Sequence, residues 1–441
     1  MRQPSRAGAA RVDITPQGNV RLGSYARTEE ATGVLDPLYL TALVLSPDER
    51  TPIALLAVDH VALLVAEADK LRRAVAQEMG VAPQRVMVQT SHTHSSPRMT
   101  EKYLACLETS AVLATRDAIG RLRPVNLGWG TGRAQVGLNR RTLANRARSE
   151  MRISPRPALD DRVGVLLVEA EDGTPVAVVV WHGVHPNVLM GDSNVVSADW
   201  PGAVRCIVET SLGCPMLFAV GAAANVDPIQ RGNEDALRRI GLCVGGEVLK
   251  TVGQIRTHPF SLGEVATASL TMTFSPLPSE ADAERLAADM AERFQMDASR
   301  WLAAVRHHLS RQEQVPPVTM EVQCLRLNEG VLGGLPMEVF NEIGAAVATP
   351  FGNAPVFFGG CTNGWIGYLP PPEEYVAEGF ELGMLPVKYG WITGWLTPPT
   401  PETAASVIAS ARELISGLFA SPASQDTETA SVTTGRDTTT K

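Results

Sequence analysis

Apolar runs and helically spaced segments alternate along the chain from near its start. "LTALVLS" (40–46) and "PIALLAVDH" (52–60) flank the turn-rich "PDERT", a spacing that predicts a hairpin or two adjacent strands. In "VAEADKLRRAVAQEMG" (65–80) apolar residues recur at three and four positions and Gly80 closes the segment, as in an amphipathic helix. The short run "QRVMVQT" follows. Strand, helix, strand is a crossover unit, and the chain just beyond its second strand is where open α/β sheets build sites.

The pattern recurs downstream. "DRVGVLLVEAEDGTPVAVVVWHGVHP" reads as two apolar strands around an Asp-Gly turn, and "PMLFAVGAAANVDP" as a strand ending in small residues. "EDALRRIGLCVGGEVLKTV" reads as a helix, and residues 279–314 as one or two surface helices. "VQCLRLNEGVLGGLPMEVFNEIGAAV" gives strand, turn, strand and helix. No internal repeat or linker interrupts this order. The expectation is an α/β fold of mixed β-sheets flanked by helices, one domain over 1–420, with a disordered polar tail over 421–441.

Composition narrows the function classes. The 441 residues, 44% hydrophobic and 20% charged, suffice for a large core, and a net charge of −8 argues against nucleic acid as a partner. The N-terminus lacks an apolar signal core and no membrane-length apolar run exists, so a cytoplasmic location without integral membrane association is expected. The six cysteines form no C-x-x-C pair, which points away from a disulfide framework or a thiolate zinc site. Nothing indicates the oligomeric state.

Histidines carry the candidate chemistry. In "TSHTHSSP", His92 and His94 share a face if the extended conformation persists through Thr93, and the pair suits a metal site as well as two hydrogen-bonded loop residues. "WHGVHPNVLMGDSNVVSADWPG" adds His182 and His185 at the end of another strand. Four of the eight histidines thus follow two expected strands, a concentration that favours a zinc site of imidazoles and a carboxylate. Glu338 in "GGLPMEVFNEIG" offers that carboxylate, or serves only as a helix-dipole partner. Trp365 and Tyr368 in "CTNGWIGYLPPPEEY" read equally well as core aromatics. Asp199 suits a helix cap, Asp192 and Asp199 are also placed to orient His185 or His182, and His182, Asp59 and His60 suit structural roles.

"ARVDITP", "TSHTHSSP", "GLNRR", "HPNVLMGDSNVVSADWPG", "GAAANVDP", "GGLPMEVF" and "TNGWIGYLPPPEEY", in this order over nearly the whole chain, resemble the catalytic domain of the neutral (non-lysosomal) ceramidases. That resemblance implies a zinc-dependent amidase with ligands at His92, His185, Glu338 and Tyr368, and with His94 and Arg140 facing the substrate. The chain departs from the family pattern at Asp227, where a serine is expected, and at Phe380, where a second tyrosine is expected. The family's secretion signal and large C-terminal domain have no counterpart in this sequence. The expected activity is therefore zinc-assisted hydrolysis of a carboxamide in a small or medium polar substrate rather than ceramide. An esterase or lactonase with the same metal shell and a non-catalytic metal-binding protein are the alternatives. His94 suits the proton carrier, Arg140 or Tyr368 the oxyanion donor, and Asp227 either the base or a carboxylate behind a ligand imidazole.

Overall fold

A computed structural model describes residues 5–25, 27–48, 51–140, 159–294, 296–376 and 380–421; from residue 422 on, the expected polar tail lies outside them. One path of strands comprises β1 (Arg6–Asp13), β2 (Tyr39–Ser46), β3 (Ile53–Val58), β4 (Val86–Thr90), β5 (Arg123–Arg133), β6 (Arg162–Ala170), β7 (Pro175–His182) and β8 (Met216–Val220). Their spatial order is β8-β7-β6-β5-β1-β2-β3-β4. Only Arg6↔Pro124 and Ala7↔Arg123 join β1 to β5, and there the path folds back on itself. Leu43, Leu45 and Leu55 of one half consequently share a core with Leu166, Val179 and Leu217 of the other.

Both outer faces are covered too. Leu40, Val44 and Leu56 meet Leu71 and Val75 of α1 (Val65–Met79) and Leu107 of α2 (Glu101–Gly120). Val163, Val165 and Val180 meet Val204 of α3 (Asp199–Leu212) and Ile240 and Val244 of α4 (Glu234–Val252). Strands buried on both faces read as unbroken apolar runs, which is why "LTALVLS" and "PVAVVVWH" do not alternate.

A second sheet, ordered β9 (Gly263–Met272), β10 (Val318–Leu327), β11 (Gly330–Gly334) and β12 (Val356–Gly359), completes the expected mixed α/β architecture. The surface helices expected within 279–314 are α5 (Glu280–Phe294) and α6 (Ser299–Ser310), packed in a small core around Trp301. Last come α7 (Asn341–Ala348), α8 (Phe380–Thr393), which begins at the residue noted as a departure from the ceramidase pattern, and α9 (Glu402–Ala420). Among the described residues no helix is long and apolar enough to cross a membrane.

Two crossover units position the site. β3 and β4 are parallel around α1, which Gly80 ends at φ 67 as its sequence position predicts. β7 and β8 are parallel around α3. His92 and His94 follow β4, and His185 follows β7.

Candidate metal centre

Beyond β4 the chain does not stay extended. His92 takes φ 64, a conformation costly for a residue with a Cβ, and its N–H donates to the His60 carbonyl at 2.9 Å. The backbone turns, yet the His92 and His94 rings still converge, with centroids 5.0 Å apart. His185 sits on the turn after β7, its N–H bonded to Val226 O at 2.9 Å, and its ring centroid lies 4.6 Å from that of His92.

Backbone carbonyls aim the two buried rings. Nδ1 of His92 meets Val61 O at 2.6 Å and Nδ1 of His185 meets Ala223 O at 3.2 Å. A carbonyl only accepts, so Nδ1 carries the proton in each and Nε2 presents its lone pair inward. Nδ1 of His94 pairs with the Ser24 hydroxyl at 2.8 Å, and its Nε2 lies 2.9 Å from Nε2 of His185 and 3.4 Å from Nε2 of His92.

The carboxylate arrives on a two-residue parallel ladder that sets Glu338 opposite Tyr368 and Val339 opposite Leu369. The Glu338 N–H donates to Gly367 O at 2.7 Å. Its Oε1 accepts from Trp365 Nε1 at 3.0 Å. Its buried Oε2 has no hydrogen-bond donor and lies 3.3 Å from Nε2 of His92 and 3.9 Å from Nε2 of His185. The Tyr368 hydroxyl interacts with both Glu338 and Arg140.

These groups crowd charge into a dry place. Burial, the largest single influence, opposes a proton on His92, but the adjoining Glu338 and Cys361 together outweigh it and hold His92 well above the usual imidazole range. Burial and the neighbouring imidazoles hold His94 and His185 well below that range. Burial, the largest single influence, raises Glu338, and His92, Tyr368 and Arg140 together more than offset it, leaving the carboxyl lowered. Tyr368 is pushed well up by burial and by Glu338.

The donor set fits a metal ion. In a tetrahedral shell with metal to nitrogen distances near 2.0–2.1 Å, adjacent donors stand about 3.4 Å apart. The Nε2 and Oε2 separations above bracket that value, and an orphaned buried carboxylate oxygen among nitrogen lone pairs is what a cation would satisfy. His92, His94 and His185 together could hold such an ion.

The remaining candidates fall into two groups. Gly137–Asn139 pairs antiparallel with Val226–Pro228, which brings Arg140 and Asp227 together. Nη1 of Arg140 lies 3.7 Å from Asp227 Oδ1, and its guanidinium stands 5.7 Å from the centre of the Tyr368 ring. Asp227 orients no imidazole, contrary to one expectation. Its Oδ1 accepts from Asn187 Nδ2 at 3.2 Å and its Oδ2 from Arg231 Nη1 at 2.7 Å, because carbonyls already occupy the Nδ1 atoms of the buried rings.

The second group is structural. Asp199 occupies the first turn of α3 at φ 58 rather than the cap position, which is Ala198. It accepts from Trp200, Val188 and Leu189 backbone N–H groups at 2.8, 3.1 and 2.9 Å, pinning the loop behind His185, while Asp192 is exposed; neither orients a histidine. His182 is bonded to Arg162 O at 2.9 Å. Asp59 pairs with Arg205 at 2.5 Å, and His60 nitrogens meet Ala62 O and Pro97 O.

Sequence reasoning missed the segment "GSYAR". Ser24 holds His94, the Tyr25 ring lies 5.1 Å from the His94 ring, and Arg27 donates to the His94 carbonyl at 2.7 Å. No periodicity or motif marks these residues. Asn187 was also missed, although it stands beside a candidate ligand in "HPN".

The helix-flanked double sheet, with imidazoles issuing from two strand ends and a carboxylate on an isolated ladder, defines an α/β protein built around a candidate metal centre. The crystal structure of neutral ceramidase from Pseudomonas aeruginosa matches it with a TM-score of 0.71 at 20% identity, over 94% of this chain and 74% of that chain. A ceramidase complexed with C2 matches with the same TM-score and identity, over 94% of this chain and 75% of that one. The chain thus has the ceramidase fold that its motifs resemble. No family model and no curated protein sequence matches it.

Proposed function

We propose that this chain is a zinc-dependent hydrolase that cleaves a carboxamide bond in a small or medium polar substrate. The observation that carries the reading is the convergence of imidazole Nε2 atoms on the donorless Oε2 of Glu338. His92, His185 and Glu338 hold the metal, with Tyr368 as fourth donor, as the resemblance implies. When bound, zinc supplies Lewis acidity that polarises a carbonyl and makes water nucleophilic near neutral pH.

The chain's own groups do the rest. Arg140, beside Tyr368, is placed to donate to an oxyanion, and His94, the least buried of the three clustered histidines, to pass a proton to the leaving nitrogen. Burial and the His185 and His92 imidazoles hold His94 well below the usual imidazole range. Asp227 fixes Arg140 rather than acting as a base, since its oxygens are engaged by Asn187 and Arg231. A serine is expected there in the ceramidases, and the substitution supports a substrate other than ceramide. A cytoplasmic setting fits the same reading.

A second arrangement is favoured by one observation, the 2.9 Å approach of His94 Nε2 to His185 Nε2, which makes His94 itself a donor. Metal analysis of purified variants separates the two. His92→Ala, His185→Ala and Glu338→Gln lose zinc and activity under both. His94→Ala keeps zinc and loses turnover under the first, and loses both under the second. Wild type without stoichiometric zinc, or ligand variants that retain it, would refute the shell. Paired amide, ester and lactone substrates then identify the bond that is cut.

A further inference from the structure

β7 and β8 run side by side from Pro175 and Met216 and end beside the histidines, Val220 lying in one small cavity with His92 and His185. At their starting ends the surface opens into a cleft of about 330 Å³ whose walls include Ala9, Arg121, Arg123, Pro175, Cys214 and Pro215. Small-molecule pockets begin at about this size. A strand rises about 3.3 Å per residue, so β7 holds the cleft roughly 23 Å from His182. A ligand bound there would not touch the metal centre.

Two guanidiniums line this cleft, and each is tethered to the carbonyl of another wall residue. Arg121 Nη1 donates to Ala9 O at 3.4 Å and Arg123 Nη2 to Pro175 O at 3.3 Å. Both bonds are long and use one edge of a rigid fork of N–H donors, so the rest of each fork is oriented and free for a ligand. Nearby carboxylates stand off or are engaged elsewhere. Asp117, one turn before Arg121 on α2, forms no ion pair with it among the described residues. Glu209, beside Cys214, is paired with Arg11 and accepts from the Met216 N–H at 2.9 Å. Asp172 feels the Arg123 charge, but the Thr174 N–H at 2.9 Å is its main partner. Burial, with Glu209 behind it, pushes the Cys214 thiol up to about 12, so this wall brings no negative charge. A third guanidinium, Arg6, donates to Leu122 O at 2.8 Å beside the pair. Helices α2 and α3 both end here, and Arg121, which caps α2, offsets that helix dipole. Arg123 opens β5 and has no such duty.

We infer that this cleft binds a small organic anion, a phosphate or carboxylate head on a compact apolar body, with Arg121 and Arg123 on the head and Pro175, Val176 and Pro215 against the body. Guanidinium forks match both heads with paired, charge-assisted bonds. In a chain of net charge −8 the arginine pair is a local feature, which suits a small anion and not an extended polyanion. The site is independent of the hydrolase reading and stands whether or not a metal is bound.

Titration calorimetry on the full-length protein, at low ionic strength and with chelator present, tests this with phenyl phosphate, benzoate and uncharged benzyl alcohol. An anion should bind and the alcohol should not; tighter binding of phenyl phosphate assigns a phosphate head, and tighter binding of benzoate a carboxylate. Arg121→Gln and Arg123→Gln should each weaken binding by about tenfold or more, as the loss of a charge-assisted bond implies, and Arg123→Lys should retain part of it. Circular dichroism checks that the variants fold. Arg285→Gln, which removes an exposed guanidinium on α5, should leave the affinity unchanged. Three results would overturn the inference. One is that neither anion binds wild type at about 10 mM, an affinity too weak for a built site. Another is that Arg285→Gln weakens binding as much as the cleft variants do. The third is that binding survives in the double variant Arg121→Gln, Arg123→Gln and is lost in His185→Ala, which would place the anion at the histidines.

Discussion

The indole of Trp365 should control how tightly the site holds zinc. Its Nε1 donates at 3.0 Å to Glu338 Oε1, the oxygen turned away from the histidines, and so fixes the rotation that points Oε2 at them. Trp365→Phe keeps an aromatic ring but removes the indole donor from the carboxylate of a 5% exposed residue. A hydrogen bond to a charged group contributes about 1.5–3 kcal/mol, and groups behind metal ligands typically set affinity by about 10- to 100-fold, or roughly 1.4–2.7 kcal/mol. The two ranges agree, so zinc should bind about 10- to 100-fold more weakly to the variant. Competition with a chromogenic chelator measures this directly. Because the substitution also disturbs the edge-to-face contact with Tyr389 at 5.4 Å, urea unfolding of the metal-free proteins must be measured alongside. A folded variant whose zinc affinity stays within about threefold of wild type would refute the argument that this bond aims the carboxylate.

Other regions give sharper tests of the fold. A Cβ on Gly164 would lie 2.6–2.8 Å from the Phe357 ring, itself buried between Trp129 and Trp181, so Gly164→Ala should cost about 1–3 kcal/mol in urea unfolding. The buried Asp59 and Arg205 pair at 2.5 Å should lose about 3–5 kcal/mol when either partner alone becomes Ala, and the double variant should lose less than the sum. Additive losses would show that the pair is not coupled. Burial holds His182 below the usual imidazole range, so the unfolded chain takes up a proton that the folded chain refuses. The associated stability is full above about pH 6.5 and is lost as pH falls from there through the lowered folded value. With chelator present, the urea midpoint of wild type should fall more steeply on acidification than that of His182→Asn, which keeps a donor for Arg162 O; parallel slopes would contradict this.

How much of this was legible in the sequence depends on what fixes each feature. The hairpin of β2 and β3, the crossover through α1 with Gly80 at φ 67, and the strand before His185 follow from apolar patterning and turn residues, because burial itself writes those signals. Glu338 was open to the sequence as a carboxylate or a helix-dipole partner, and the motif resemblance supplied its role as a ligand together with Tyr368. Their ladder is two residues long and joins loops with no periodic pattern, so no local signal announces the pairing. Trp365 was legible only as a possible core aromatic, and it is both buried and a donor.

The orientation of the histidines was the least legible feature, and the reason is physical. A carboxylate behind a ligand imidazole would leave an Asp or Glu to be found, and Asp227 drew attention on that ground. Here Val61 O and Ala223 O do the work, and a main-chain carbonyl has no sequence signature. The aim of His92 therefore depends on the turn at φ 64 and on the His60 carbonyl that holds it, features of the path of the chain rather than of any side chain. With the imidazoles held in this way, Asp227 remained available for the two arginines. A residue that looked like part of the metal machinery thus pairs with two arginines instead, at a position where the chain departs from the ceramidase pattern.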